Sequence, residues 1–176
     1  GIWLDNISKP EMDIFRAKGN SITDKAMIIC QGGGLFFSAY EKEGVKLAKK
    51  LSLNGITSIV LKYRTYPRRG SVIDWAGTIW DKPQMAIDSA KIILPYSSKD
   101  AMTAIEVIRT NATKYNINPN KIGLMGFSAG GAVTMETAYK STKKNQPNFI
   151  APIYPWMDIV EKQKVPSNKP PAFITC

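Results

Sequence analysis

The sequence predicts an α/β fold, a mostly parallel sheet covered by helices. Three observations predict it. From residue 26 onward, short apolar runs alternate with amphipathic, helix-length segments. Two of the runs, AMIIC at 26–30 and ITSIVLK at 56–62, are nearly continuous in apolar or β-branched residues, as parallel strands buried on both faces are. A Gly-Phe-Ser-Ala-Gly string at 126–130 then joins a strand-like run to a helix-like one.

The elements follow in order. Residues 26–30 form a short apolar strand. Residues 41–53 form a helix with Val45, Ala48 and Leu51 on one side and lysines on the other, stopped by Asn54-Gly55 as a C-cap. Residues 56–62 form the next strand. Residues 65–96 are irregular, with Trp75, Trp80 and three prolines, and an amphipathic piece at 85–94. A lid, a substrate-facing insertion and a loop packing its own aromatics all fit them. Residues 98–116 form a helix with Ile105, Ile108, Ala112 and Tyr115 on one face, opened by a Ser97-x-x-Asp100 capping box. Asn118-Pro119-Asn120 turns the chain into the strand at 121–127. A helix at 129–140 follows, then strands at 148–154 and 172–176.

Composition bounds the alternatives. The 176 residues fit one domain with a real core, and 44% hydrophobic and 22% charged content is ordinary for a globular protein. No apolar run reaches the roughly 18 residues of a membrane span. Gly1 opens the chain without a basic or apolar leader, so a secretion signal is expected to have been removed or never present. The net charge is +10, yet the lysines fall on the polar faces of amphipathic segments. That placement favours a solvated surface over a nucleic-acid face. Cys30 and Cys176, the only cysteines, both close strand-like runs, and two cysteines give no disulfide framework. With no histidine and two distant cysteines, no metal site and no cofactor are expected.

Ser128 carries the chemistry. A strand, a sharp Gly-x-Ser-x-Gly turn and a helix hold a serine hydroxyl at the tip of a strained elbow, where a nearby base makes it a nucleophile. The other reading of the string is an ordinary Gly-rich turn that cradles phosphate. A second element adds specificity: Gln31-Gly32-Gly33-Gly34 follows the first strand directly. Backbone without side chains there can aim N–H groups at a developing oxyanion. The donors are expected at Gly33 or Gly34 and at Ala129. Trp75, Trp80 and Trp156 offer flat aromatic faces that suit apolar CH surfaces of a ligand, while packing in or under the irregular stretch is the favoured reading for any one of them. Trp156, at a strand end where open α/β sheets bind ligands, is the best placed of them.

IICQGGGLFFSAYEKEG, GITSIVLKYR, NPNKIGLMGFSAGGA, PIYP and PPAFITC, in that order, resemble the α/β-hydrolase esterases that act on acetylated carbohydrates, acetylxylan esterases and lipase- and carboxylesterase-like proteins among them. The resemblance covers most of residues 26–64 and 98–176, with residues 65–97 as a lid-like insertion within a single 1–176 domain. It implies that Ser128 is the nucleophile and that Gly33, Gly34 and Ala129 form the oxyanion hole. Gln31 departs mildly from the family's His-Gly-Gly-Gly form, since the donors are backbone groups.

In this fold the order is nucleophile, acid, histidine, and the family's acid follows a strand like PPAFITC. Asp158 and Glu161 precede that position and are expected to be surface or loop residues. The family's acid and histidine are therefore expected beyond Cys176, with the C-terminal strands and helices of the fold. The implied activity is hydrolysis of a small-molecule or polysaccharide ester, such as acetylated xylan, with little turnover from residues 1–176 alone. The substrate class points to a secreted or periplasmic protein. A non-catalytic binding protein on the same fold and a prolyl-oligopeptidase-type serine peptidase are the alternative readings.

Overall fold

A computed structural model of the 176-residue chain describes residues 1–71, 77 and 81–176. In chain order the strands are β1 (Leu4–Asp5), β2 (Glu11–Phe15), β3 (Ala26–Cys30), β4 (Phe37–Ser38), β5 (Thr57–Lys62), β6 (Ile122–Phe127) and β7 (Phe149–Ile153). The helices are α1 (Lys46–Leu53), α2 (Pro83–Thr110) and α3 (Ala129–Lys140). A π-helical turn, Tyr40–Val45, leads into α1.

Five strands form one sheet in the order β2-β5-β3-β6-β7, while β1 and β4 make a small antiparallel pair. The pairs β5-β3, β3-β6 and β6-β7 are parallel, and β2 runs antiparallel along the β5 edge. From β3 the chain moves outward to β5 on one side, then crosses to β6 on the other. The carboxyl ends of β3 and β6 therefore flank a topological switch point, where open α/β sheets bind ligands.

Side-chain alternation divides the core. Ile29 and Met27 of β3 and Val60 of β5 pack with Ala48, Leu47 and Leu51 of α1 on one face. Ile28, Ile59, Leu61 and Leu124 pack on the other face with Ile93, Ile105 and Ile108 of α2 and Ala132 and Val133 of α3. Each fully buried aliphatic side chain contributes about 1.5–3 kcal/mol, so the double-sided burial of β3 explains its continuous apolar sequence.

Strands 26–30 and helix 129–140 sit as the sequence predicts. The C-cap at Asn54-Gly55 closes as a Schellman motif, with Ile56 N–H on the Leu51 carbonyl and Gly55 N–H on the Ser52 carbonyl. The helix expected from residue 98 begins at Pro83 instead, with Pro95 inside it. The amphipathic piece at 85–94 is thus part of α2. Ser97 and Asp100 form no capping box. The Ser97 hydroxyl donates to the Arg64 carbonyl at 2.8 Å, and the Asp100 carboxylate takes the Arg64 backbone N–H at 3.0 Å and Nε at 2.9 Å. The predicted strand at 172–176 is reduced to two isolated parallel bridges to β7, at Ala172 and Thr175. Cys30 is buried and Cys176 exposed, and both are free thiols. Residues 72–76 and 78–80 of the irregular stretch, Trp75 and Trp80 among them, lie outside the described residues.

Candidate active site

Ser128 stands between β6 and α3 with φ 50° and ψ −116°. A non-glycine residue in such a region costs on the order of 1–3 kcal/mol and persists only when its surroundings over-determine it. Three hydrogen bonds do so here. Ser128 N–H donates to the Ile153 carbonyl, and the Ser128 carbonyl accepts from Ala132 N–H and from Trp156 N–H, all at 3.0 Å. The elbow is therefore tied to its own helix and to the segment after β7.

The crowding explains the flanking glycines. A Cβ on Gly126 would lie 2.0 Å from the Gly130 carbonyl oxygen, and one on Gly130 would lie 2.1 Å from the Cys30 carbonyl oxygen. Side chains at either position would push α3 off the sheet and carry Ser128 with it.

The loop after β3 faces this elbow. Gly33 has φ +133°, and a Cβ there would stand 2.1 Å from the Phe37 carbonyl oxygen. Its carbonyl accepts from Phe36 and Phe37 N–H, at 3.0 and 3.2 Å, and the Gly32 carbonyl accepts from Ala39 N–H at 3.0 Å. Gln31 is wholly buried: its amide donates to the Ile29 carbonyl, its side-chain oxygen accepts from Ser38, and its backbone carbonyl accepts from the Tyr63 hydroxyl. Gln31 thus anchors the loop from beneath. Burial holds the Tyr63 phenol well above its ordinary pKa.

Two further residues, missed from sequence, close the space between loop and elbow. Glu43 Oε2 accepts the Gly32 N–H at 2.6 Å, and Glu43 Oε1 accepts from the Tyr154 hydroxyl at 3.2 Å. A Cβ placed on Gly32 would meet Glu43 Oε2 at 2.9 Å and Ser128 Cβ at 3.3 Å, so carboxylate and serine share one corner. Burial, and then the Glu43 charge, raise the Tyr154 phenol pKa. In the sequence Glu43 is one charged residue among several in the 41–53 segment, with no motif around it.

Trp156 is half-buried against the main core, with its N–H on Ser128. Asp158 is exposed in a short 3-10 turn, and Glu161 is exposed beyond it. Both line a separate groove of about 690 Å³ beside Glu136 and Lys140, well along α3 from Ser128. Among the described residues no cluster of His, Cys, Asp and Glu comes together as a metal site, and no helix is long and apolar enough to cross a membrane.

Comparison with known proteins agrees with this architecture. A family model described as the α/β hydrolase fold matches residues 91–175. An acetylxylan esterase of Xylanibacter ruminicola is 26% identical over 164 residues, covering 90% of this chain and 28% of that protein. The endo-1,4-beta-xylanase B of Butyrivibrio fibrisolvens is 29% identical over 125 residues, 70% of this chain and 16% of that protein. The chain thus spans under a third of either curated relative. The crystal structure of an acetyl ester-xyloside bifunctional hydrolase from Caldicellulosiruptor lactoaceticus superposes with a TM-score of 0.62 at 20% identity, over 99% of this chain and 73% of that one. The chain has the α/β-hydrolase fold, and its sequence is similar to acetylxylan esterases.

Proposed function

We propose that this chain carries the nucleophile and oxyanion hole of a serine carboxylic-ester hydrolase that deacetylates carbohydrate such as xylan. The observation that carries the reading is the backbone of Ser128. A serine held at φ 50° by three hydrogen bonds, at the carboxyl end of β6 and facing a Gly-rich loop, is a costly arrangement.

Ser128 Oγ attacks the acetyl carbonyl carbon while a base takes its proton. The negative charge that develops on the carbonyl oxygen falls to the N–H groups of Ala129 and of Gly33 or Gly34. Ala129 N–H lies at the first turn of α3, where the helix leaves its own N–H groups unpaired. Gly32 N–H is already committed to Glu43, which leaves Gly33 and Gly34 as the loop's donors. The alcohol then departs with the base's proton, and water releases acetate from Ser128.

The chain has no histidine, and Glu43, the carboxylate beside the elbow, is engaged by Gly32 and Tyr154. The base is therefore supplied from outside these 176 residues. Without a triad member, a residual ~10³–10⁴ over water remains from oxyanion stabilisation and binding, so the chain alone turns over little. The names of the xylan-degrading relatives support the carbohydrate substrate, and Trp156, fixed beside Ser128, is the residue proposed to meet the sugar ring.

The test is covalent. A fluorophosphonate incubated with the chain at high concentration should modify Ser128, mapped by mass spectrometry, and the Ser128→Ala variant should stay unmodified. Modification elsewhere, or equal modification of the variant, would refute the assignment.

A further inference from the structure

We infer that Glu43 is a positioning residue of the acyl-transfer site, a carboxylate clamp that sets the oxyanion loop against the Ser128 elbow. This rests on the acyl-transfer reading above.

The geometry has three parts. Gly32 is fixed on both sides, its N–H donating to Glu43 Oε2 at 2.6 Å and its carbonyl accepting from Ala39 N–H at 3.0 Å. The first bond is short and charge-assisted, the stronger class of hydrogen bond. It orients the peptide immediately before the Gly33 and Gly34 donors. Glu43 is itself fixed, because its neighbour Gly44 packs where a Cβ would meet Val60 Cγ1 at 2.8 Å and the Gln31 amide at 3.0 Å. The π-helical turn therefore lies directly against the loop's anchor.

The second oxygen of Glu43 reaches the segment after β7 through Tyr154. Tyr154 holds φ 36°, another left-handed non-glycine residue, and its ring lies 6.0 Å from Phe127 of β6. The same segment supplies the Ile153 carbonyl and Trp156 N–H that hold Ser128. One carboxylate thus joins the donor loop to the strap that holds the nucleophile. The two halves of the site, which come from sequence positions some hundred residues apart, meet at Glu43. Both oxygens of Glu43 are thus engaged by the loop and the strap, and the role assigned to it is positioning, not proton transfer.

The residual reactivity of the histidine-free chain comes from its oxyanion hole, so slow phosphonylation of Ser128 reads the clamp directly. Misplacing a catalytic group by about 1 Å costs on the order of 10²-fold, and losing a donor ~10²–10³. Glu43→Ala is expected to slow phosphonylation about 10- to 100-fold. Glu43→Gln keeps an oxygen for Gly32 N–H and is expected to stay within roughly threefold of the wild type. Amide exchange of Gly32, followed by NMR, is expected to quicken by about tenfold or more in Glu43→Ala and to stay slow in Glu43→Gln.

Wild-type phosphonylation in Glu43→Ala, with Ser128→Ala unmodified, would overturn the clamp and leave the nucleophile standing. Unchanged Gly32 exchange in Glu43→Ala would overturn it too. Persistent modification of Ser128→Ala would instead overturn the acyl-transfer reading itself, and the clamp's catalytic role with it.

Discussion

Gly130 approaches the end of β3 so closely that a Cβ on it would stand 2.1 Å from the Cys30 carbonyl oxygen. The contact is backbone to backbone, so neither side has a flexible end to move. It fixes how far α3 sits from the sheet, and hence where Ser128 points.

Gly130→Ala is therefore expected to destabilise the chain by about 3 kcal/mol, the upper end of overpacking costs, read from the urea midpoint at constant slope. Gly70→Ala is its control for the alanine itself, since that position has nothing within 4 Å and only a positive φ of 80° to resist the change. Equal losses at both positions would mean that the contact with Cys30 does not set the helix.

Stability is expected to fall above pH 10. Burial holds Tyr63 well above its ordinary pKa, and burial followed by Glu43 raises Tyr154. The fold favours the neutral phenol. That contribution is fully present below the unfolded pKa of about 10 and is lost as pH rises from there toward the folded value. Urea midpoints at pH 9, 10 and 11 should drop progressively for the wild type. Tyr63→Phe, which deprives the Gln31 carbonyl of its donor, should lose about 1 kcal/mol at pH 9 and then fall less steeply. Parallel falls in the two proteins would contradict the role given to Tyr63.

The two cysteines should behave differently. Cys30 is wholly buried at the end of β3, and burial pushes its thiol far up, whereas Cys176 is exposed. Ellman's reagent is expected to titrate one thiol quickly in the native chain and the second only after unfolding in guanidinium. Two fast thiols would show that the β3 end is open to solvent.

How much was legible from sequence depends on which forces acted locally. β3, β6 and α3 were readable because continuous apolar runs and the Gly-x-Ser-x-Gly string each admit one local solution. The start of α2 was not. Pro95 removes a helix N–H, and Ser97-x-x-Asp100 mimics a cap, so the pattern suggested a helix beginning at Ser98. Tertiary partners decided otherwise: Ala86, Ala90, Ile93 and Leu94 bury against the core, and Arg64 takes both Ser97 and Asp100. β2 escaped notice because an edge strand of five half-exposed residues leaves little signature beyond the alternation of Glu11 and Asp13 with Met12 and Ile14. Ser128 and the glycine loop could be found by motif. Glu43 and Tyr154 could not, because only folding brings positions 43 and 154 within one hydrogen bond.

The central claim is that Ser128 is a poised nucleophile whose base is absent from these residues. Imidazole can act as a free general base in place of a missing histidine, so the most direct measurement is Ser128 phosphonylation with and without added imidazole at a high, fixed concentration. The account predicts modification confined to Ser128 and accelerated about tenfold or more by imidazole, with none in Ser128→Ala. A rate unmoved by imidazole, or label that persists in Ser128→Ala, would contradict it.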